Sequence, residues 1–229
     1  MVRIEGLPYD TGEPNFQDRF ISMTFQENTL LVIYGPHASG KTALLRAIAG
    51  LDEAKNSNGI KVFLDGRSID SILRKTGHSS VIYIDASMID SIGIFKVKEA
   101  TKALSRFNIR NLTEQAFDII KLLNLQPLFD NPNKPLASFS SSQRASFLVL
   151  LALVKPSKIM IFDGIFDHLD DERLCGLVNI LRDSISDKLV IISTRHERRF
   201  LHFADHFVAL KDGKIVFEGD PRDYVMVSR

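Results

Sequence analysis

Gly35-Pro36-His37-Ala38-Ser39-Gly40-Lys41-Thr42 decides how this chain is read. The stretch fits the spacing G-x-x-x-x-G-K-[ST]. Its glycines let the backbone turn tightly enough for successive N–H groups to converge on phosphate oxygens. In such a loop Lys41 adds positive charge for the β- and γ-phosphates, and the Thr42 hydroxyl sits on a magnesium ion. Gly35, His37, Ala38, Ser39, Gly40, Lys41 and Thr42 are therefore the candidate phosphate contacts, with Thr42 also a candidate metal ligand. The flanks agree with this reading. Thr29 to Tyr34 is a buried-strand run, and Ala43 to Ala49 reads as a helix stopped by Gly50. Strand, glycine loop and helix N-terminus together make an anion site from backbone amides and the helix dipole. The ligand this implies is a nucleoside triphosphate.

Outward from the loop, the chain has the length and composition of one large α/β domain, 1–229, carrying a lobe-sized insertion. It has 229 residues, 45% hydrophobic and 25% charged. A net charge of +1 gives no electrostatic case for nucleic acid or an anionic membrane. Cys175 is the single cysteine, which rules out an internal disulfide and a cysteine-based zinc site and suits a reducing cytosol. The longest apolar run, Phe147 to Val154, is far short of the ~20 residues of a membrane-spanning helix. Arg3, Glu5 and Asp10 near the N-terminus argue against a signal peptide. The expected location is cytoplasmic, or peripheral on the inner face of a membrane through a partner.

Residues 1 to 34 carry short β-like stretches, Phe20 to Phe25 and Leu30 to Tyr34, read as an edge sheet leading into the first core strand. Gly59 to Arg67 is a strand with an Asp65-Gly66 turn, and Val81 to Ile84 a short core strand. From 87 to 136 the periodicity becomes helical. There Asn111 is a plausible N-cap for a helix with Leu112, Ala116, Ile119, Ile120 and Leu123 on one face. This stretch reads as a helical lobe inserted between core segments 1–86 and 137–229. Ser140 to Val154 is a further helix, followed by core strands Lys158 to Asp163 and Leu189 to Ser193. Lys211-Asp212-Gly213 turns a hairpin between Phe207 to Leu210 and Lys214 to Phe217, and Asp220-Pro221 opens a terminal helix. The expected core sheet is parallel, with an antiparallel β subdomain at one end.

A phosphate loop needs a second carboxylate for the metal, and Asp163 at the end of Ile159-Met160-Ile161-Phe162 supplies one. With Asp163 and its surroundings placed, the chain from about residue 20 to 228 resembles the ATP-binding cassette (ABC) family. Phe139-Ser140-Ser141-Ser142-Gln143-Arg144 is similar to that family's LSGGQ signature, and Asp163 follows Ser140 by the family's usual 23 positions. Asp167-His168-Leu169-Asp170 resembles the loop that crosses the family's dimer interface, and Ala204 to Gly219 its C-terminal hairpin. The resemblance implies ATP and Mg2+ as ligands. It also implies a dimer, with itself or a related subunit, in which each phosphate loop faces the partner's signature residues Ser140, Ser141, Ser142 and Gln143. The fold it implies is a P-loop α/β core with an antiparallel β subdomain and an α-helical lobe. For the adenine ring, an aromatic upstream of the phosphate loop is expected to stack, and Tyr9 and Phe16 are the candidates; either could equally be core.

The departures from the family pattern are as informative. Gly164 stands where the family has a glutamate, so the usual general base is missing. Ser141 and Ser142 replace the signature's two glycines; they read equally as an N-capping serine run or as a working signature. Aligned without a gap, Arg195 occupies the switch-histidine position; a one-residue shift places His196 there, and His196 is the favoured candidate because a neutral imidazole can bridge γ-phosphate and water. The loop that usually carries a glutamine reads Asp85-Ala86-Ser87. Two readings follow. One is an ATP-binding subunit that couples ATP hydrolysis to a membrane-spanning transporter partner. The other is an ATP-dependent switch, scaffold or degenerate half of a heterodimer that binds nucleotide but hydrolyses it weakly.

Overall fold

The computed structural model describes residues 1–6, 21–51, 61–68, 71, 81–105, 114–155, 157–184 and 188–227. In chain order its strands are β1 (Val2–Gly6), β2 (Ile21–Phe25), β3 (Thr29–Tyr34), β4 (Lys61–Leu64), β5 (Arg67–Ser68), β6 (Val81–Asp85), β7 (Ile159–Asp163), β8 (Leu189–Thr194), β9 (His206–Lys211) and β10 (Lys214–Gly219). Its helices are α1 (Lys41–Ile48), α2 (Met88–Ser91), α3 (Val97–Ser105), α4 (Glu114–Leu122), α5 (Gln126–Phe129), α6 (Ser141–Leu153), α7 (Asp171–Ser184), α8 (Glu197–Phe200) and α9 (Pro221–Val227). Three 3-10 turns, Ile92–Ile94, Leu136–Ser138 and Ile165–His168, complete the described elements.

The central sheet has the order β10-β9-β3-β8-β7-β6. Strands β3, β7 and β8 are wholly or almost wholly buried, which is why each reads as a continuous apolar run rather than an alternating one. Their pairings are parallel: Thr29 to Tyr34 matches Leu189 to Thr194 residue for residue, and Ile159 to Asp163 matches Leu189 to Ser193. The C-terminal hairpin is built into this same sheet, because β9 runs parallel to β3 while β10 pairs antiparallel with β9. Asp205 fixes that junction, accepting the Leu30 N–H at 2.8 Å through Oδ2 while its own N–H donates to the Leu30 carbonyl at 2.9 Å. A second, antiparallel sheet has the order β2-β1-β4-β5. Its tight turn uses Asp65 and Gly66, both at positive φ, as a two-residue hairpin of this twist requires. Val2, Ile4, Met23, Phe25 and Val62 from this sheet join Leu31, Ile33, Leu44, Leu45, Ile161 and Ile191 in one core. Each such side chain contributes roughly 1.5–3 kcal/mol of burial before chain entropy is counted.

The chain divides into two compact units. The first comprises Met1–Tyr83, Ser157–Asp163 and Ile185–Arg229; the second comprises Ile84–Pro156 and Gly164–Ser184. The second unit groups more residues with the helical segment than 87–136, because α6 is buried continuously from Ala145 to Ala152 and packs on α2, α3 and α4. A helix without a solvent face over that span needs neighbours all round, and the lobe helices supply them. Backbone bonds Leu136 N–H to the Phe95 carbonyl (2.8 Å) and Val97 N–H to the Lys134 carbonyl (3.1 Å) close this unit. The proposed cap Asn111 lies outside the described residues. Among the described residues no helix is long and apolar enough to cross a membrane.

Candidate nucleotide-binding site

The phosphate loop starts where β3 ends. The Gly35 N–H donates to the Thr194 carbonyl at 3.3 Å, and a Cβ on Gly35 would collide with the Ser39 side chain and the Leu210 carbonyl oxygen. Only glycine fits there. Ala38 (φ 60) and Gly40 (φ 95) adopt left-handed backbone, which reverses the chain and points it into α1. Buried Ser39 anchors the loop from inside, its carbonyl accepting the Gly213 N–H of the β9–β10 turn at 3.2 Å. Helix α1 then buries Leu44, Leu45 and Ile48. Its N-cap Gly40 has no side chain to offer and there is no acidic residue in the first turn. The first amides of α1 thus keep their dipole for an anion.

Lys41 folds over its own loop, with Nζ donating to the carbonyls of Gly35 (2.7 Å) and Pro36 (2.8 Å) and to Ser39 Oγ (3.2 Å). Those acceptors hold the ammonium at the rim of the turn, where phosphate oxygens would compete with neutral carbonyls for it. Pro36, His37, Ala38 and Thr42 are exposed.

Asp163 is 6% exposed at the end of β7. Its Oδ2 accepts the Tyr83 hydroxyl at 3.0 Å and its Oδ1 accepts the Ser193 hydroxyl. Two hydroxyl donors from the flanking strands β6 and β8 orient the carboxylate while leaving each oxygen further acceptor capacity. Tyr83 and Ser193 lie 80 and 30 residues from Asp163, so no local spacing announced them. The set fits Mg-nucleotide chemistry: a hydroxyl at Thr42, an oriented carboxylate at Asp163, a cation at Lys41 and a helix N-terminus with no side-chain cap.

In the second unit, Ser140 is the N-cap of α6 in a complete capping box. Its Oγ accepts the Gln143 N–H at 3.2 Å, and Gln143 Oε1 accepts the Ser140 N–H at 3.1 Å. Ser140 and Ser141 are exposed, whereas Ser142 Oγ accepts from Arg173 Nη1 at 3.0 Å. The same Arg173 atom donates to Asp170 Oδ2 at 2.7 Å, and Asp170 Oδ1 caps α7 by accepting the Arg173 N–H at 2.9 Å. Arg144 fastens the start of α6 with bonds to the Ile89 carbonyl (2.8 Å), the Phe139 carbonyl (2.7 Å) and Asp90 (3.0 Å).

Gly164 sits at φ 67 and leads into the Ile165–His168 turn; a Cβ there would meet only the Ala86 Cβ, at 3.8 Å. Asp85, beside Ala86, spends its Oδ1 on the Ser87 N–H (2.8 Å) and the Ser87 hydroxyl.

Arg195 and His196 are both exposed in the loop after β8, with the His196 N–H donating to Thr194 Oγ1 at 2.9 Å. Because Tyr34 and Thr194 end their strands in register, this loop emerges beside Gly35. Tyr9 and Phe16 lie outside the described residues.

The family model for ABC transporters matches residues 19–166. Among similar proteins, the spermidine/putrescine import ATP-binding protein PotA of Mannheimia succiniciproducens is 23% identical over 97% of this chain and 58% of its own length. The sulfate/thiosulfate import ATP-binding protein CysA of Mesostigma viride is 24% identical over 91% of this chain and 59% of its own. A putative ABC transporter ATP-binding protein of Pyrococcus furiosus is 24% identical, covering 99% of this chain and 82% of the relative. The chain thus spans little more than half the length of the first two relatives. In three dimensions it is similar to cbiO1 of Clostridium perfringens, part of the ABC transporter complex cbiONQ. That likeness has a TM-score of 0.73 at 19% identity and covers 99% of this chain and 91% of the other. A bacterial Atm1-family ABC exporter with ATP bound matches with a TM-score of 0.77 at 13% identity, covering all of this chain and 40% of the other. With the match to residues 19–166 spanning well over half the sequence, and with an α/β P-loop fold, the chain belongs to the ABC transporter family.

Proposed function

We propose that the chain is an ATP-binding subunit that takes up Mg-ATP at Gly35–Thr42 and couples its binding to a membrane-spanning transport partner. The observation that carries this is the loop itself: Gly35 admits no Cβ, Gly40 leaves the α1 amides uncapped, and Lys41 lies across the turn. Thr42 and Asp163 would hold the magnesium ion, which supplies charge neutralisation at the phosphates. Tyr83 and Ser193 keep the Asp163 carboxylate turned; His196 or Arg195, beside the loop, would meet the terminal phosphate. Two copies, or this chain and a related subunit, would enclose ATP between Gly35–Thr42 of one and Ser140–Gln143 of the other. The names of the spermidine/putrescine and sulfate/thiosulfate relatives favour an importer. Exposed Ile94 (81%) and Phe95 (44%) in the second unit are the apolar surface offered to the membrane partner.

The weakly hydrolysing reading is favoured by a specific observation. A Cβ on Gly164, where the family places a glutamate, would meet only the Ala86 Cβ, at 3.8 Å, and Ala86 lies in the loop that usually carries a glutamine. No group at either position can accept a proton from an attacking water. Equilibrium titration with Mg-ATP, followed by sedimentation with and without nucleotide, tests the first part: ATP binding with nucleotide-dependent association is expected, and a chain that binds no ATP overturns it. For coupling, a photo-crosslinker at Phe95 should capture an integral membrane protein that changes ATP turnover on reconstitution; a captured partner without that effect argues for a scaffold.

A further inference from the structure

One carboxylate joins the loop after β8 to two other parts of the first unit. Glu197 opens α8 directly after His196, and its Oε2 accepts a 2.9 Å hydrogen bond from the Tyr224 hydroxyl on α9. Tyr34, the last residue of β3 and the neighbour of Gly35, faces the same carboxylate. Burial first, then the charge of Glu197 and a hydrogen bond to it, raise the pKa of Tyr34. Tyr224 is raised by burial, then by its hydrogen bond with Glu197 and that charge. The rings pack as one cluster: Tyr34 lies 6.2 Å from Phe207 and 6.4 Å from Tyr224, and Tyr224 lies 4.7 Å from Phe207 and 5.1 Å from Phe217. Rings of this kind bury their bodies and bring their polar ends together, here on Glu197.

The elements concerned meet at the nucleotide site. Strands β3 and β8 end in register at Tyr34 and Thr194, and the Gly35 N–H bonds the Thr194 carbonyl. Arg195 and His196 are exposed and α8 is a single turn, so the side chain that follows them sets where their loop stands. A hydrogen bond to a charged acceptor is a stronger constraint than a neutral one.

We propose that Glu197 is a positioning residue for the nucleotide site: held by the Tyr224 hydroxyl, it sets the Arg195–His196 loop against the end of β3 and ties that setting to helix α9. This rests on the ATP-binding reading above. Under that reading Gly35–Thr42 holds the phosphates common to ATP and ADP, whereas the terminal phosphate, which Lys41 also reaches, is the one that meets the loop after β8. Loss of the clamp therefore changes ATP affinity and spares ADP affinity, and movement of α9 is transmitted to the terminal-phosphate contact.

The chain has no tryptophan, so tyrosine emission reports nucleotide titrations directly, with calorimetry alongside. The full chain is compared with Glu197→Ala, Glu197→Gln and Tyr224→Phe for Mg-ATP and Mg-ADP. Glu197→Ala and Tyr224→Phe should weaken ATP about fivefold and leave ADP within about twofold. Glu197→Gln, whose amide oxygen still accepts a phenol hydrogen bond, should retain most of the ATP preference. A variant that lowers Tm but leaves the ATP/ADP ratio unchanged overturns the proposal, as does equal loss of both affinities. An unmodified chain that binds neither nucleotide overturns the ATP-binding reading and the proposal with it; intact ATP binding with an unaltered ratio overturns the clamp alone.

Discussion

Between β3 and α1, every position that a phosphate-binding loop uses is present: a glycine that admits no Cβ, a left-handed glycine before the helix, a lysine and a threonine. The second unit differs in the side chains it offers. Ala86 and Gly164 carry no functional group, and Ser141 and Ser142 stand where glycines are usual. The contrast teaches that binding and hydrolysis are separable demands on one fold. Backbone amides, a helix dipole and one cation suffice to hold phosphates. Splitting them needs a positioned base as well, worth roughly 10²–10⁴-fold in rate.

The largest expected effect comes from restoring the missing base. Gly164→Glu should raise phosphate release by roughly 10²-fold. It should also lower stability by about 1 kcal/mol, because φ at 164 is +67 and a side chain there is strained. Turnover assayed beside denaturant unfolding separates the two; ordinary turnover before substitution and none gained after it would assign the base elsewhere, with Asp167 the next carboxylate along the chain.

Removing the cation from the intact loop comes next. Lys41→Ala should weaken Mg-ATP roughly 30-fold while AMP is little affected, since a charged donor bond is worth about 2 kcal/mol. Calorimetry reads both ligands, and unchanged ATP affinity would erase the contrast between the two regions.

Returning Ser142 to glycine should be milder. Ser142→Gly releases Arg173 Nη1 from Ser142 Oγ, leaves its bond to Asp170, and removes a β-carbon at the start of α6, so nucleotide-dependent association should tighten about threefold. Sedimentation with Mg-ATP measures it; weaker association would make the Ser142–Arg173 contact a requirement for the closed form.

The smallest effect is a control remote from the chemistry. The side-chain and backbone hydrogen bonds of Arg222 hold the Asp220 carboxyl down at about 2, against an ordinary 3.8. A depressed folded pKa stabilises the fold above pH 3.8, and that stabilisation is lost as pH falls toward 2. Asp220→Asn should therefore flatten the stability profile between about pH 4 and 2 and leave ATP binding unchanged. The exposure of Arg222 and salt screening keep the effect small.

Gly35–Thr42 was legible because its chemistry is local: eight consecutive residues specify the turn, the cation and the helix start, and buried parallel strands announce themselves as apolar runs. A capping serine was readable for the same reason, although the residue that caps α6 is Ser140 rather than Ser141 or Ser142. Both strands of the C-terminal hairpin were readable, but their place in the central sheet was not. Pairing of β9 with β3 joins residues some 175 positions apart, as the Leu30–Asp205 bond does.

What the sequence determined by itself was therefore the periodic and the contiguous: the candidate phosphate loop, the strands and helices beside it, and the glycine at 164. What only the tertiary structure decided was which side chains hold the working groups in place. Tyr83 and Ser193 grip Asp163, Arg173 spans Ser142 and Asp170, and Tyr224 closes on Glu197. Most of these contacts join elements distant in sequence, and hydrogen bonds carry no period. They exist only once the sheet has brought its strand ends into register and the helices have packed.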